Sequence, residues 1–198
     1  MNSVKRTNLW RITFFFLATL FVLFATTTVS ATWWGPVVYT VNTTADGTDG
    51  ACTKSHCSLR EAIQASNSRY GGSAIIQFNV GYLNPVVISP ASPLPAITRS
   101  VLLKTNATNS IDVVLDGSEA GPADGLVLTG SYITVRNLTI QNFNGNGVLV
   151  DGSHNMIESA IISGNSGSGI PKNGATSITK SSPVLLDRVY LINLRMLS

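Results

Sequence analysis

Residues 125–131 read GLVLTGS and residues 147–153 read GVLVDGS, so one pattern of glycine, apolar and turn-forming residues recurs after 22 positions. The same offset relates other apolar and glycine positions in this part of the chain. These series are Val113, Val135 and Ile157; Ile140 and Ile162; Gly145 and Gly167; Gly147 and Gly169; and Leu126, Val148 and Ile170. Several series at one period indicate a structural repeat of about 22 residues.

One repeat has room for three short strands, at 147–150, 156–158 and 160–163. Glycine and asparagine recur too often between them to allow a helix, and the L-x-x-L-x-L frame of leucine-rich repeats is missing. A single unit buries almost nothing, whereas stacked units align Ile on Ile and Val on Val in a continuous core. The sequence therefore predicts an all-β fold, a parallel β-helix solenoid, and the handedness rule for parallel crossovers favours a right-handed one.

The part of the chain before the repeat also favours strands. Apolar β-formers cluster at 33–41, 74–80, 86–89, 101–104 and 111–115. Four prolines separate several of these clusters and interrupt any helix. They are Pro85, Pro90, Pro93 and Pro95.

One helix is predicted, beginning after Ser58. Ser58 and Glu61 have the S-x-x-E spacing of a capping box, in which each side chain bonds to the backbone amide of the other residue. The residues Leu59, Ala62, Ile63 and Ser66 then share one helical face. A helix this short is not stable alone in water, so we expect it to lie against an apolar surface.

The segment from Met1 to Ala31 resembles a secretory signal peptide. Lys5, Arg6 and Arg11 precede an uncharged apolar segment at 12–25, and small residues end it at Ala31. The apolar segment is short for a membrane span, although 26–31 could extend it into an uncleaved anchor. In both cases the rest of the chain is exported, to the extracellular space or the cell surface.

Removal of this segment leaves a balanced charge. The chain has 13 Lys+Arg and 10 Asp+Glu, and the segment holds three of the basic residues and no acidic one. The remainder therefore carries ten charges of each sign, and it is long enough for one domain. No basic cluster remains to neutralise phosphates, so nucleic acid is not expected as a partner. Membrane contact is expected only through the signal or an uncleaved anchor.

Both cysteines, Cys52 and Cys57, lie in the exported part, where oxidising conditions favour a disulfide. A metal site that uses His56 between them, with the distant His154, is the alternative. The loop at 46–50 carries Asp46 and Asp49, which favours a solvated turn and leaves a Ca²⁺ site as the alternative. No other cofactor or metal is expected.

Residues 57–62 spell CSLREA, the motif that names the CSLREA domain, and Cys52 precedes it. Other segments also resemble this family, and 135–140 resembles the parallel β-helix repeats that follow the domain. The segments are 76–79, 94–97 and 115–118. The resemblance extends roughly from Val38 to Ile170.

The resemblance implies an exported bacterial surface protein in which a capping segment opens a pectin-lyase-like right-handed β-helix. The helix would then cover the first coil and block its open strand edges. The domain boundaries become 1–31 for the signal, 32–72 for the cap, 73–170 for the coils and 171–198 for an irregular tail. The period fails in this tail, which is either a capping element or the product of truncation or a frameshift. No reaction is attached to the motif, so it implies no catalytic residue.

A non-enzymatic structural or recognition role, adhesin-like and with extracellular glycans or surface proteins as candidate partners, is therefore expected. The alternative is a polysaccharide lyase or glycoside hydrolase, because the pectin-lyase-like fold hosts such enzymes. Glycoside hydrolysis needs two nearby carboxyl groups. The weak candidates are Asp116, Asp124 and Asp151, but one repeat before and after Asp151 stand Thr129 and Asn173, so no acidic row forms. Trp33 and Trp34 could stack on sugars or belong to a flexible N-terminus.

Overall fold

The structure, a computed structural model, describes residues 35–81, 85–105 and 112–167, with the backbone of Thr176–Thr179. In these residues the chain forms three parallel β-sheets and one α-helix, which confirms the predicted β-rich fold. The predictions for the signal segment, Trp33, Trp34, Ile170 and most of the tail lie outside the described residues. No helix in the described part is long and apolar enough to cross a membrane.

Twelve short strands and the helix follow one another in the described residues, with a 3₁₀ turn at Gly117–Glu119. They are β1 (Val37–Val41), α1 (Leu59–Asn67), β2 (Ala74–Phe78), β3 (Val86–Ile88), β4 (Val101–Lys104), β5 (Val113–Asp116), β6 (Leu126–Leu128), β7 (Thr134–Arg136), β8 (Leu138–Gln141), β9 (Val148–Val150), β10 (Asn155–Glu158), β11 (Ile161–Ser163) and β12 (Thr176–Thr179).

Strands β1 and β2 both lie in sheet A, and from β2 onward consecutive strands fall in different sheets. Sheet A has the order β1-β2-β4-β7-β10-β12, sheet B the order β11-β8-β5-β3, and sheet C pairs β6 with β9. An isolated parallel bridge between Ile97 and Leu128 extends sheet C by one position. From β2 to β11 the chain therefore visits A, B and C repeatedly in the same order, and each layer stacks in parallel on the one before.

The 22-residue register holds in the later layers. Val135 lies beside Ile157, Ile140 beside Ile162, and Leu126 beside Val148. The predicted partnership of Val113 with Val135 is wrong, because Val113 belongs to sheet B and lies beside Leu138, 25 positions along the chain. The 3₁₀ turn that follows β5 lengthens this layer, so the constant offset fails there.

Sharp turns between strands repeat with the same period. Five non-glycine residues have positive φ, a conformation that costs energy for side chains with a Cβ and is best tolerated by Asn and Asp. Together with one glycine they form three pairs, each separated by one repeat: Tyr132 with His154, Asn137 with Ser159, and Asn142 with Gly164. Asn137 and Ser159 separate sheet A strands from sheet B strands, so each turn redirects the chain to the next sheet.

The core lies between the sheets and is built from aligned apolar side chains. Ile76, Leu103, Val135 and Ile157 occupy matching positions in sheet A, and each is at most 3% exposed. Each such row continues from layer to layer, which is why single repeats cannot be stable alone.

The side-chain amides of the buried Asn155 and the half-buried Asn165 join successive layers. Asn155 accepts a hydrogen bond from the Ile133 amide at 2.8 Å and donates to the Gly130 carbonyl at 3.0 Å. Asn165 accepts in the same way from the Phe143 amide at 2.9 Å. These side chains satisfy backbone groups at turns where the sheet ladder stops, which explains the burial of the polar Asn155.

Candidate functional site

The predicted disulfide is present and closes the loop before α1. Cys52 and Cys57 are bonded, with their Cα atoms 4.3 Å apart, and Cys57 is fully buried. Asn42, just after β1, accepts from the Cys57 amide at 2.8 Å and donates to the Lys54 carbonyl at 2.9 Å. The disulfide loop is therefore fastened to the first strand, and the alternative in which the cysteines bind a metal is wrong.

The predicted capping box is also present at the start of α1. The Ser58 side chain accepts from the Glu61 amide at 3.2 Å, and Glu61 accepts from the Ser58 amide at 2.8 Å. Glu61 is only 1% exposed and also accepts from the Asp49 amide at 2.7 Å. Burial on its own would raise the pKa of Glu61, but the hydrogen bonds from Ser58 and Asp49 outweigh it and lower the pKa below its ordinary value.

Arg60 links α1 to two other segments. Its guanidinium donates to both carboxylate oxygens of Asp46, at 3.0 and 2.7 Å, in a largely buried bidentate pair. It also donates to the Pro93 carbonyl at 2.8 Å and the Ser92 carbonyl at 2.9 Å. A planar guanidinium suits such a multidentate contact, which a lysine could not reproduce.

The helix packs on strands β1 and β2 and reaches the first position of sheet C. Leu59, Ala62 and Ile63 are at most 2% exposed and join the core, as the sequence predicted. Asn67, at the end of α1, donates to the Ala96 carbonyl at 2.7 Å and accepts from the Thr98 amide at 2.9 Å, on either side of Ile97. The helix thus spans from sheet A to sheet C on the first layer.

The structure brings together three side chains that the sequence did not group. His56 Nδ1 lies 3.3 Å from a Glu61 oxygen and 3.5 Å from an Asp49 oxygen. They are the one metal-competent cluster found in the described ranges. The signal available in the sequence was the closed loop: the disulfide places His56 next to the helix N-terminus, and the capping box turns Glu61 back toward it.

Asp46 and Asp49, the two candidate calcium ligands from the sequence, have different partners. Asp46 is held by Arg60 and by the Ala91 amide, 2.9 Å from Oδ2, whereas Asp49 faces His56. Each carboxylate therefore has its own partners in the described residues.

Among the weak carboxylate candidates, Asp116 caps the 3₁₀ turn after β5. One of its oxygens accepts from the Ser118 amide at 3.0 Å, and the other accepts from Gln141 at 2.9 Å and Asn142 at 2.8 Å. Burial alone would raise the pKa of Asp116, but these hydrogen bonds outweigh it and lower the pKa to about 2.

Asp124 and Asp151 flank sheet C strands. Asp124 Oδ1 accepts from the Asn146 amide at 2.6 Å and from the Asn146 side chain at 2.9 Å, so it holds the turn of the next layer. Asp151 follows β9, and its backbone amide donates to the Leu128 carbonyl at 2.9 Å. The side chains stacked on Asp116 and Asp124 in the next layer are neutral amides, not carboxyl groups.

An exposed aromatic pair was missed in the sequence. The rings of Tyr132 and His154 stack 4.9 Å apart with an interplanar angle of 14°, and Tyr132 is 64% exposed. Their separation by one full repeat was the signal that could have found them. His154 therefore stacks in a later layer and takes no part in the cluster around His56.

No family model, curated protein or solved structure matches the chain.

Proposed function

We propose that this chain is an exported β-helix protein whose CSLREA segment caps the first coil, and that it serves a structural or recognition role at the cell surface. The proposal combines the sequence resemblance with three features of the structure. They are the order of the strands, the contacts of the CSLREA residues, and the partners of the candidate carboxylates.

The order of the strands carries the solenoid proposal. Repeated passage through sheets A, B and C, with parallel pairing at each step, supports a chain that winds in coils. Open parallel sheets in ordinary α/β proteins need helical crossovers between their strands, whereas here short turns connect the strands of the later layers. The crossover rule then favours a right-handed winding.

The contacts of the CSLREA residues support a capping role. Cys57 closes a disulfide, Ser58 and Glu61 cap the helix, Arg60 ties it to Asp46, and Leu59 and Ala62 fill the core. Each side chain is used in building the helix and seating it on the first layer. A motif whose residues are all occupied in this way needs no substrate to explain it.

A recognition role is favoured by the regular outer surface. Side chains one repeat apart form rows along the layers, including the ion pair of Arg136 with Glu158 and the stack of Tyr132 on His154. An exposed aromatic ring beside polar turns is a surface on which a sugar can pack. Glycans are therefore the preferred ligand class.

The hydrogen-bond partners of Asp116 and Asp124 do not support the lyase or hydrolase alternative. Acid–base cleavage of a glycosidic bond needs two carboxyl groups a few ångströms apart. Asp116 and Asp124 instead hold amide groups of the next layer, and a carboxyl used in such a bond is a poor proton donor. The fold alone supplies no activity.

A combined binding and turnover assay tests the proposal. We expect the purified chain to release no reducing sugar or unsaturated uronide from pectin or alginate and to bind immobilised extracellular glycans. Tyr132→Ala should abolish that binding, whereas Tyr70→Ala, at a tyrosine that is 88% exposed outside the stack, should not. Turnover that is lost in folded Asp116→Asn, Asp124→Asn or Asp151→Asn would establish the enzyme instead.

A further inference from the structure

The cluster of Asp49, His56 and Glu61 has a geometry that the capping role does not require. Its three potential ligand atoms lie within 4.8 Å of one another. Glu61 already completes the capping box through its bond to Ser58, so neither His56 nor the Asp49 side chain is needed for that purpose.

His56 Nδ1 is buried and makes no hydrogen bond in the described part of the chain. Its neighbours are the carboxylate oxygens of Glu61 and Asp49, at 3.3 and 3.5 Å, and neither contact has hydrogen-bond geometry. A buried polar atom without a partner is uncommon and calls for an explanation. An ion bound between the three side chains would supply one.

The two separations from Nδ1 match the edges of a tetrahedral zinc site. With zinc–ligand bonds of about 2.0–2.1 Å, neighbouring ligand atoms of a tetrahedron lie about 3.3 Å apart. The distances from Nδ1 to the Glu61 and Asp49 oxygens, 3.3 and 3.5 Å, are therefore close to two edges of such a site.

The carboxylates are held in place before an ion arrives. Glu61 accepts one backbone amide on each oxygen, from Asp49 and from Ser58, and each oxygen keeps a second lone pair. Asp49 anchors Oδ1 on the Ala51 amide at 3.1 Å and directs Oδ2 toward His56. Such outer hydrogen bonds orient metal ligands and raise affinity.

The ligand set indicates which cation fits. An imidazole with two carboxylates suits Zn²⁺ and related late first-row cations, whereas Ca²⁺ takes six to eight oxygen ligands. The side chains of His56 and Asp49 are 37% and 58% exposed, so an ion can enter from solvent and keep a bound water.

We propose that Asp49, His56 and Glu61 form a zinc site that joins the disulfide loop to the N-terminus of α1. Asp49 lies before the disulfide loop, His56 lies within it, and Glu61 lies in the first turn of the helix. The ion would therefore hold together the three parts of the cap. The proposal does not depend on the ligand or partner of the rest of the molecule.

Isothermal titration of the purified, disulfide-bonded chain with ZnCl₂ tests this site. The disulfide must be intact, with no free thiol detected, because reduced cysteines would bind zinc themselves. We expect one equivalent to bind, an increase in melting temperature that EDTA reverses, and no comparable binding of CaCl₂. His56→Gln should weaken zinc binding by at least about tenfold.

Two further variants separate the site from folding and from the second histidine. Asp49→Asn keeps the backbone amide that donates to Glu61 and a side-chain oxygen that can accept from the Ala51 amide. The cap should therefore fold while zinc binding weakens. His154→Gln removes the histidine stacked on Tyr132 and should bind zinc as the wild type does. The proposal would be overturned if the wild type bound no zinc or bound calcium more tightly than zinc. It would also be overturned if His56→Gln or Asp49→Asn bound zinc as tightly as the wild type, or if His154→Gln weakened zinc binding as much as His56→Gln does.

Discussion

At the scale of single residues, buried and half-buried carboxylates organise turns by accepting backbone and amide hydrogens. Glu61 and Asp116 each accept several hydrogen bonds, and in each case those bonds outweigh the cost of burial and lower the pKa. Both residues were singled out in the sequence, Glu61 from its spacing to Ser58 and Asp116 as a candidate carboxylate. Their burial could not be deduced, because it depends on which layer packs above them.

The lowered pKa of Asp116 makes stability depend on pH. The carboxyl has an ordinary pKa of 3.8 and a folded pKa of about 2, so its charged form favours the folded state. With an allowance for solvent screening, the contribution is about 1–2 kcal/mol; it is complete above about pH 4 and disappears as the pH falls through about 2. Denaturant unfolding at pH 6 should give the wild type a larger free energy of unfolding than Asp116→Asn. At pH 2 this difference should have nearly disappeared.

Glu119→Gln provides the control for this measurement, since Glu119 lies in the same 3₁₀ turn with an exposed side chain. It should follow the wild type across the pH range. If the difference in unfolding free energy between wild type and Asp116→Asn stayed constant from pH 6 to pH 2, the stabilising hydrogen bonds would not depend on the charge of Asp116.

Close stacking also depends on single glycines. A Cβ built on Gly152 would overlap the Gly130 carbonyl of the preceding layer, although the φ of Gly152 is ordinary. Gly152→Ala must therefore push two layers apart, and we expect a loss of about 3 kcal/mol in unfolding free energy. Gly47→Ala, which meets no atom within 4 Å, should change stability by less than about 0.5 kcal/mol in the same denaturant titration. Equal effects would mean that the layers are not in contact at Gly130.

At the scale of elements, the sequence predicted the strands to within a few residues. The strand at 101–104 has the predicted bounds, and those at 74–80 and 86–89 end one or two residues early. The helix begins where the capping box placed it. The pairing register between strands was harder to predict. A turn that inserts a few residues changes the offset between paired strands without changing the pattern within a strand.

Val113 illustrates that limit. Its apolar neighbours and its distance from Val135 fitted the 22-residue period, yet it pairs with Val86 and Leu138 in sheet B. The layers before β7 carry insertions between their strands, and their pairing offsets reach 32 positions between β4 and β7. A constant period read from the later repeats therefore cannot be extended to the earlier ones.

Two adjacent isoleucines in β11 test which face of the strand points to the core. Ile162 lies beside the fully buried Ile140 and packs partly against the core, whereas Ile161 is 39% exposed. Ile162→Asp should cost several kcal/mol, because it places an unpaired charge against apolar side chains. Ile161→Asp should cost less than about 1 kcal/mol. Thermal unfolding of the two variants gives the comparison, and a larger loss for Ile161→Asp would reverse the assigned faces.

At the scale of the whole molecule, balanced charge and a disulfide fit the proposed export. The apolar segment at 12–25 and the small residues before Thr32 predict cleavage after Ala31. Intact-mass measurement of the product in the medium should give a chain beginning at Thr32. An intact chain in the membrane fraction would identify a retained anchor, and an intact chain in the cytosol would contradict export.

The stacking of whole layers can be tested by a cross-link between them. The hydroxyl oxygens of Ser131 and Ser153 lie 3.0 Å apart, although the two serines are one full repeat apart in the chain. Neighbouring parallel strands are about 4.8 Å apart, within the Cα separation of about 4.4–6.8 Å that a disulfide spans. Replacing both serines by cysteine should therefore give a new disulfide on mild oxidation. It would close a loop of about 22 residues and stabilise the fold by about 3 kcal/mol in the chain-entropy model.

Ser131→Cys with Ser163→Cys is the matched control, because Ser163 lies in sheet B beside Gln141. Peptide mapping should find the cross-link in the first variant alone, with the native Cys52–Cys57 bond retained in both. Equal cross-linking in the control, or none in the first variant, would contradict the layered arrangement, because proximity of Ser131 and Ser153 requires the chain to return to the same place after one full repeat.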